Sequence, residues 1–152
     1  MKRAAIICLC VAALLICGIV AFGEGTVSDS WARLGPINKI TISWTAGTNG
    51  FASGDTASHV RGEILRVVCD PDDTSVPTNN YDVTLTDASG IDLLAGKGAN
   101  LSSTTASSIV PGEEITDGTT TSVVPFAINE KLSLVATNTG NETAGVVILY
   151  VR

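Results

Sequence analysis

Ile40-Thr41-Ile42-Ser43-Trp44 sets three large apolar side chains on one side of an extended backbone and two hydroxyls on the other. Successive residues of a strand point to opposite faces, so this alternation predicts a β-strand with one buried face. The same period of two recurs where Tyr81, Val83 and Leu85 alternate with Asp82, Thr84 and Thr86. It recurs again where Leu132, Leu134 and Ala136 alternate with Ser133, Val135 and Thr137, and a further strand is expected over Val146 to Val151. Between Gly62 and Asp70 the apolar residues Ile64, Leu65, Val67, Val68 and Cys69 are nearly continuous. That pattern predicts a strand covered on both faces, and therefore a central one.

The segments between these runs carry turn chemistry. Asn49-Gly50 tolerates positive φ and predicts a tight turn. Asp70-Pro71-Asp72-Asp73 predicts a break, because proline lacks the amide donor and aspartate satisfies local amides. Asp87-Ala88-Ser89-Gly90 predicts a turn into a short returning strand Ile91-Asp92-Leu93-Leu94, closing a hairpin with residues 81–86. Asn138-Thr139-Gly140-Asn141 predicts a second hairpin, joining Leu132–Thr137 to Val146–Val151. Pro125 within Val123–Ile128 indicates an edge strand or a bulge. Residues 95–121, rich in Gly, Ser and Thr, are expected to run over the surface with one short strand near Ile109. Seven or eight strands without a helical pattern between them predict an all-β fold, an antiparallel β-sandwich or jelly roll over residues 37–152.

Ahead of this body, Ala4 to Phe22 form an uncharged, mostly apolar run behind Lys2 and Arg3, with small residues Ala21 and Gly23 before Glu24. This is the layout of a secretory signal peptide, residues 1–23, and it predicts an exported domain (periplasmic, extracellular or membrane-anchored). The run also reaches the length of a membrane-spanning helix, which allows an uncleaved anchor and membrane association through residues 4–22. Lipidation at Cys17 is a third option, weakened by bulky Ile16 beside it. Residues 24–36 are expected to act as a tether. Cys8, Cys10 and Cys17 lie in the leader, so a cleaved product keeps Cys69 alone and no intrachain disulfide; a thiol in an apolar strand reads as a small buried hydrophobe.

The chain carries a net charge of −6; without Lys2 and Arg3, seven basic residues face fifteen acidic ones, giving −8. The basic residues are scattered singly, which argues against a nucleic-acid partner, since phosphate binding calls for clustered Lys and Arg.

The stretch from Tyr81 through Asp87-Ala88-Ser89-Gly90-Ile91-Asp92-Leu93-Leu94-Ala95-Gly96 to Gly98 and Asn100, with Gly62 to Val68, Pro77-Thr78-Asn79-Asn80 and Gly145 to Val151, resembles small β-rich structural proteins of tailed bacteriophages. The resemblance spans roughly residues 37 to 152. It implies a particle-surface (virion or prophage) component and carries over no catalytic residues. A virion protein assembled in the cytoplasm needs no export leader, so the two expectations together point to a membrane-containing particle or an exported assembly.

Candidate chemistry is sparse. His59 is the single imidazole and reads as a solvated loop residue; Ser58 beside it gains no triad from adjacency. One His and one mature Cys do not make a zinc site. Asp70, Asp72 and Asp73 crowd one loop and Asp87 and Asp92 another, a set of oxygen ligands suited to calcium but without EF-hand spacing; capping of turns is the competing role. Gly96-Lys97-Gly98 lacks the P-loop pattern. Asn100-Leu101-Ser102 and Asn141-Glu142-Thr143 match the N-glycosylation sequon. Trp31 is placed to meet a glycan or another partner, whereas Trp44 shares the face of Ile40 and Ile42 and belongs to the core. These readings assign no catalytic residue, cofactor or metal. They predict a noncatalytic structural or decoration protein of a phage-like virion or exported surface assembly, forming a homo-oligomer or packing on neighbouring subunits. An envelope-associated adhesion or carbohydrate-binding module is the alternative, and a hydrolase using paired carboxylates finds no acid and base that the sequence can pick out.

Overall fold

The computed structural model describes residues 24–152 apart from Asp117, and the leader expected over residues 1–23 lies outside the described residues. The described chain is all β, with eleven strands: β1 (Thr26–Leu34), β2 (Ile37–Thr45), β3 (Ala52–Asp55), β4 (Val60–Pro71), β5 (Asp82–Thr86), β6 (Ser107–Ile109), β7 (Glu113–Thr116), β8 (Thr121–Val124), β9 (Ala127–Glu130), β10 (Ser133–Thr137) and β11 (Ala144–Val151). Every pairing is antiparallel. The main sheet runs β1-β2-β11-β4-β6, with β9 also on β4; β3-β10-β5 form a second sheet and β7-β8 a two-stranded ribbon. Together they curl into an open half-barrel.

Alternation explains the core. Ile40, Ile42 and Trp44 of β2, Val147, Leu149 and Val151 of β11, and Ile64, Val67 and Cys69 of β4 turn inward from the main sheet. They meet Ala52 of β3, Leu134 and Ala136 of β10, and Val83 and Leu85 of β5 in one cluster. Trp44 is its largest member and lies with its ring centroid 5.8 Å from that of Tyr81, tilted by 46°. Such aromatic pairs favour tilted geometry because the ring faces are electron-rich and the edges electron-poor.

β4 is central, as its apolar run predicts, flanked by β11 on one side and by β9 and β6 in succession on the other. It continues to Pro71, opposite Gly145, so the expected break falls after Pro71. At its other end the register slips: Tyr150 faces Arg66 while Val151 faces Ile64, leaving Leu65 as a bulge. Gly62 lies there at φ +124°, and a side-chain carbon on it would collide with the Arg152 carbonyl oxygen. Glu63 and Arg152 exchange backbone hydrogen bonds of 2.8 and 3.0 Å at the same place.

Five expectations change. Residues 26–34 are not a tether: they pair along their whole length with β2 across the two-residue Gly35-Pro36 turn. No hairpin joins residues 132–137 to 146–151, since β10 pairs with β3 and β5 while β11 pairs with β2 and β4. The turn expected at Asn138–Asn141 is present but carries the chain from one sheet to the other. Ile91–Leu94 is not a returning strand either. A single bridge joins Thr86 to Asp92, and the chain then winds through turns closed by Ala95 N–H to Asp92 O, Lys97 N–H to Leu94 O and Ala99 N–H to Gly96 O. The Asp92 carboxylate accepts from the Leu94 and Gly96 amides, which gives this backbone an alternative to a ladder. Finally, residues 95–121 contain β7 in addition to the expected β6, and Leu101 and Ile109 are buried, so the excursion contributes to the core. Val123–Ile128 is interrupted at Pro125 and Phe126, dividing it between β8 and β9.

Candidate functional site

The candidate reactive side chains are dispersed, and most are already engaged. Cys69 is 1% exposed on the inner face of β4, and burial pushes its thiol from 9.0 up to about 12, because the apolar surroundings disfavour a thiolate. His59 is exposed just before β4, and Ser58 beside it accepts a hydrogen bond from Thr56 Oγ1 through its backbone oxygen. The buried Thr56 hydroxyl in turn accepts from the Leu132 amide at 3.1 Å, which ties this loop to the start of β10.

The aspartates hold turns. Asp72 Oδ1 accepts from the amides of Ser75 (2.6 Å) and Thr74 (2.8 Å), and these two bonds lower its pKa below the ordinary 3.8 by stabilising the carboxylate. Asp87 Oδ1 accepts from Ser89 and Ile91, and Asp92 from Leu94 and Gly96. Asp82 joins two loops by accepting from the Asn100 amide and the Asn138 side chain. Asp70 is half-buried in β4 opposite Val146, and Asp73 is exposed. Among the described residues no three His, Cys, Asp or Glu side chains gather where they could hold a metal ion.

Lys97 reaches Glu114 at 3.7 Å, and the Gly98 carbonyl accepts from Val83 N–H at 2.8 Å, so Gly96-Lys97-Gly98 links the excursion to β5 and β7. Of the two sequons, Asn141 and Asn100 are both exposed, while the Thr143 hydroxyl donates to the carbonyls of Thr139 and Gly140. No cavity able to hold a small molecule opens among the described residues, and no helix among them is long and apolar enough to cross a membrane.

What the molecule presents instead is surface. The half-buried Val146, Ile148 and Tyr150 stand on the outer face of β11 beside the buried Val68 of β4, where Ile148 faces Val68 and Tyr150 faces Arg66. The Arg66 guanidinium lies 5.6 Å from the Tyr150 ring centroid, a cation–π contact. The sequence predicts a strand over Val146–Val151 without assigning its faces, although Val146, Ile148 and Tyr150 recur at a period of two, and it predicts β4 covered on both faces, whereas Arg66 is exposed and Asp70 half-buried on its outer face. Trp31 and Leu34 stay 43% and 51% exposed at the far end of β1, where they face Ile40 and Ile37. Trp31 is held there by donation of its indole N–H to Asp29 Oδ2 at 2.6 Å, and Asp29 Oδ1 accepts from the Ala57 amide. Trp31 and Trp44, both singled out in the sequence, are therefore separated in role: one at the rim, the other in the core. Val110 before β7, and Val123 and Val124 on opposite faces of β8, are also exposed. Comparison with protein-family models, with curated proteins and with solved structures gave no match to this chain.

Proposed function

We propose that this chain is a noncatalytic structural or decoration module, a β-sandwich whose two core-lining sheets form a rigid body packing against like or neighbouring subunits on a phage-like virion or exported surface assembly. One observation carries the reading: apart from the exposed His59 and Asp73, the candidate reactive side chains are largely committed to the core or to turn amides, while large apolar side chains remain exposed at Trp31 and Leu34 and beside β7–β8. Apolar surface kept in water is costly, and contiguous exposed groups of it mark contact sites. Export is supported by the apolar run behind Lys2 and Arg3.

Mass spectrometry on the full chain purified from its native source tests this, reporting both the first residue and the assembled mass. A start at Glu24 within a multi-subunit assembly supports the reading. A soluble monomer displaces it.

The second reading, an exported envelope-associated adhesion or carbohydrate-binding module, is favoured by the exposed indole of Trp31, since sugar rings stack on aromatic faces. Glycan-array binding that is competable and lost in Trp31→Ala would establish it in place of the first.

A further inference from the structure

Among the described residues β1 is the longest strand that pairs on one side alone. The other lateral strands are short, three residues in β6, four in β3 and β9 and five in β5, whereas β1 has nine and pairs on one side alone among the described residues. Edge strands are commonly protected by proline, a bulge or charged side chains; Thr26–Leu34 has no proline, lysine or bulge, its charges are Asp29 and Arg33, and its pairing with β2 is regular throughout.

The direction of its free backbone groups follows from the printed bonds. Ala46 N–H donates to Thr143 O, so even-numbered residues of the β2 segment turn their amides and carbonyls towards β11 and odd-numbered ones towards β1. The β1 residues opposite those odd positions are the even ones, Thr26 to Leu34. Val27, Asp29, Trp31 and Arg33 therefore aim their N–H and C=O groups at the open edge. A second copy can pair there in antiparallel fashion about a two-fold axis with odd residues opposite odd residues. One such register sets Trp31 against Trp31 and each Asp29 against Arg33 of the other copy.

We infer that two copies of this chain join edge to edge through β1 in that register, making one continuous sheet across the pair. The inference rests on the assembly reading above and names its surface. The charges select the register: Asp29 and Arg33 are the sole ionisable side chains of β1, they lie on the same face as Trp31, and self-pairing about Trp31 matches them twice. Opposite charges directly across a ladder attract and like charges repel. The paired indoles would cover the apolar surface that Trp31 leaves exposed.

The test uses the full chain with Cys8, Cys10 and Cys17 changed to Ser. Trp31→Cys puts two thiols on the axis at a Cα separation of about 5.5 Å, within disulfide range, whereas Ser30→Cys puts them off the axis and on the opposite face. Mild oxidation should yield disulfide-linked dimer from Trp31→Cys and little from Ser30→Cys. In native mass spectrometry, Arg33→Glu and Asp29→Lys should each weaken the dimer about tenfold, and mixing the two should restore it as a heterodimer. A misfolded variant would not be rescued by mixing. An assembly that forms without cross-linking at residue 31, or without rescue on mixing, overturns edge pairing and leaves the assembly reading standing. A monomer at about 10 µM removes both.

Discussion

Cys69 shows how one side chain reports on the packing around it. Its thiol points into the cluster shared by both sheets, with its pKa raised from 9.0 to about 12 by burial. Cys69 should resist thiol reagents at pH 8 in the native protein and react once denaturant opens it. Raising the pKa has a definite sign for stability. Below pH 9 the thiol is protonated in both states; between about 9 and 12 the unfolded chain ionises first, so folding weakens by about 1 kcal/mol by pH 10. Tyr81, raised chiefly by burial, pushes in the same direction, and denaturant midpoints measured from pH 8 to 10.5 should fall monotonically. Gly62 offers a second residue-scale test. Gly62→Ala combines φ +124° with a collision against the Arg152 carbonyl and should cost about 3 kcal/mol. Gly90→Ala, at φ +81° in open space, should cost about 1 kcal/mol, and urea melts of the two variants would rank them. Residue identity was legible in the sequence at Trp44 and Cys69, because an apolar group in an alternating or continuous run has one place to go. The aspartates were half legible: their turns were foreseen, but which amides each would bind depends on loop geometry.

Element by element, the strands that alternate cleanly, β2, β5, β10 and β11, were readable, and so was β4 from its unbroken apolar run. Partners were not. A period of two states which face is buried and says nothing of which neighbour supplies the hydrogen bonds, so β10 and β11, joined by a convincing turn, still part to different sheets. β1 escaped notice because its side chains are exposed on both faces over its second half, leaving no apolar alternation; the available signal was Gly35-Pro36 between Leu34 and Ile37. The β7–β8 ribbon is a separate two-stranded sheet, and the Lys97–Glu114 contact links it to the preceding loop. Replacing residues 113–124 with a short Gly-Ser linker should therefore leave the thermal midpoint within about 5 °C of the parent, because loop length alters closure entropy only slowly. A collapse of the midpoint in differential scanning calorimetry would mean that the ribbon braces the core.

Across the whole molecule, order along the chain and order in space disagree most at β11. This final strand lies between β2 and β4, bonded to both, and supplies Val147, Leu149 and Val151 to the core. Truncation before Ala144 removes the middle of the main sheet, and the shortened chain should show no cooperative unfolding transition by circular dichroism. The functional surface was less legible than the fold for a related reason: Trp31, Asp29 and Arg33 acquire meaning from an edge that exists only after β1 has docked on β2. The position of β11 also governs when folding can finish. While β11 is still inside the ribosome, β2 and β4 have no strand between them, so the main sheet can close only after β11 has emerged. A nascent chain arrested before β11 emerges would display two unzipped borders at once, one on β2 and one on β4.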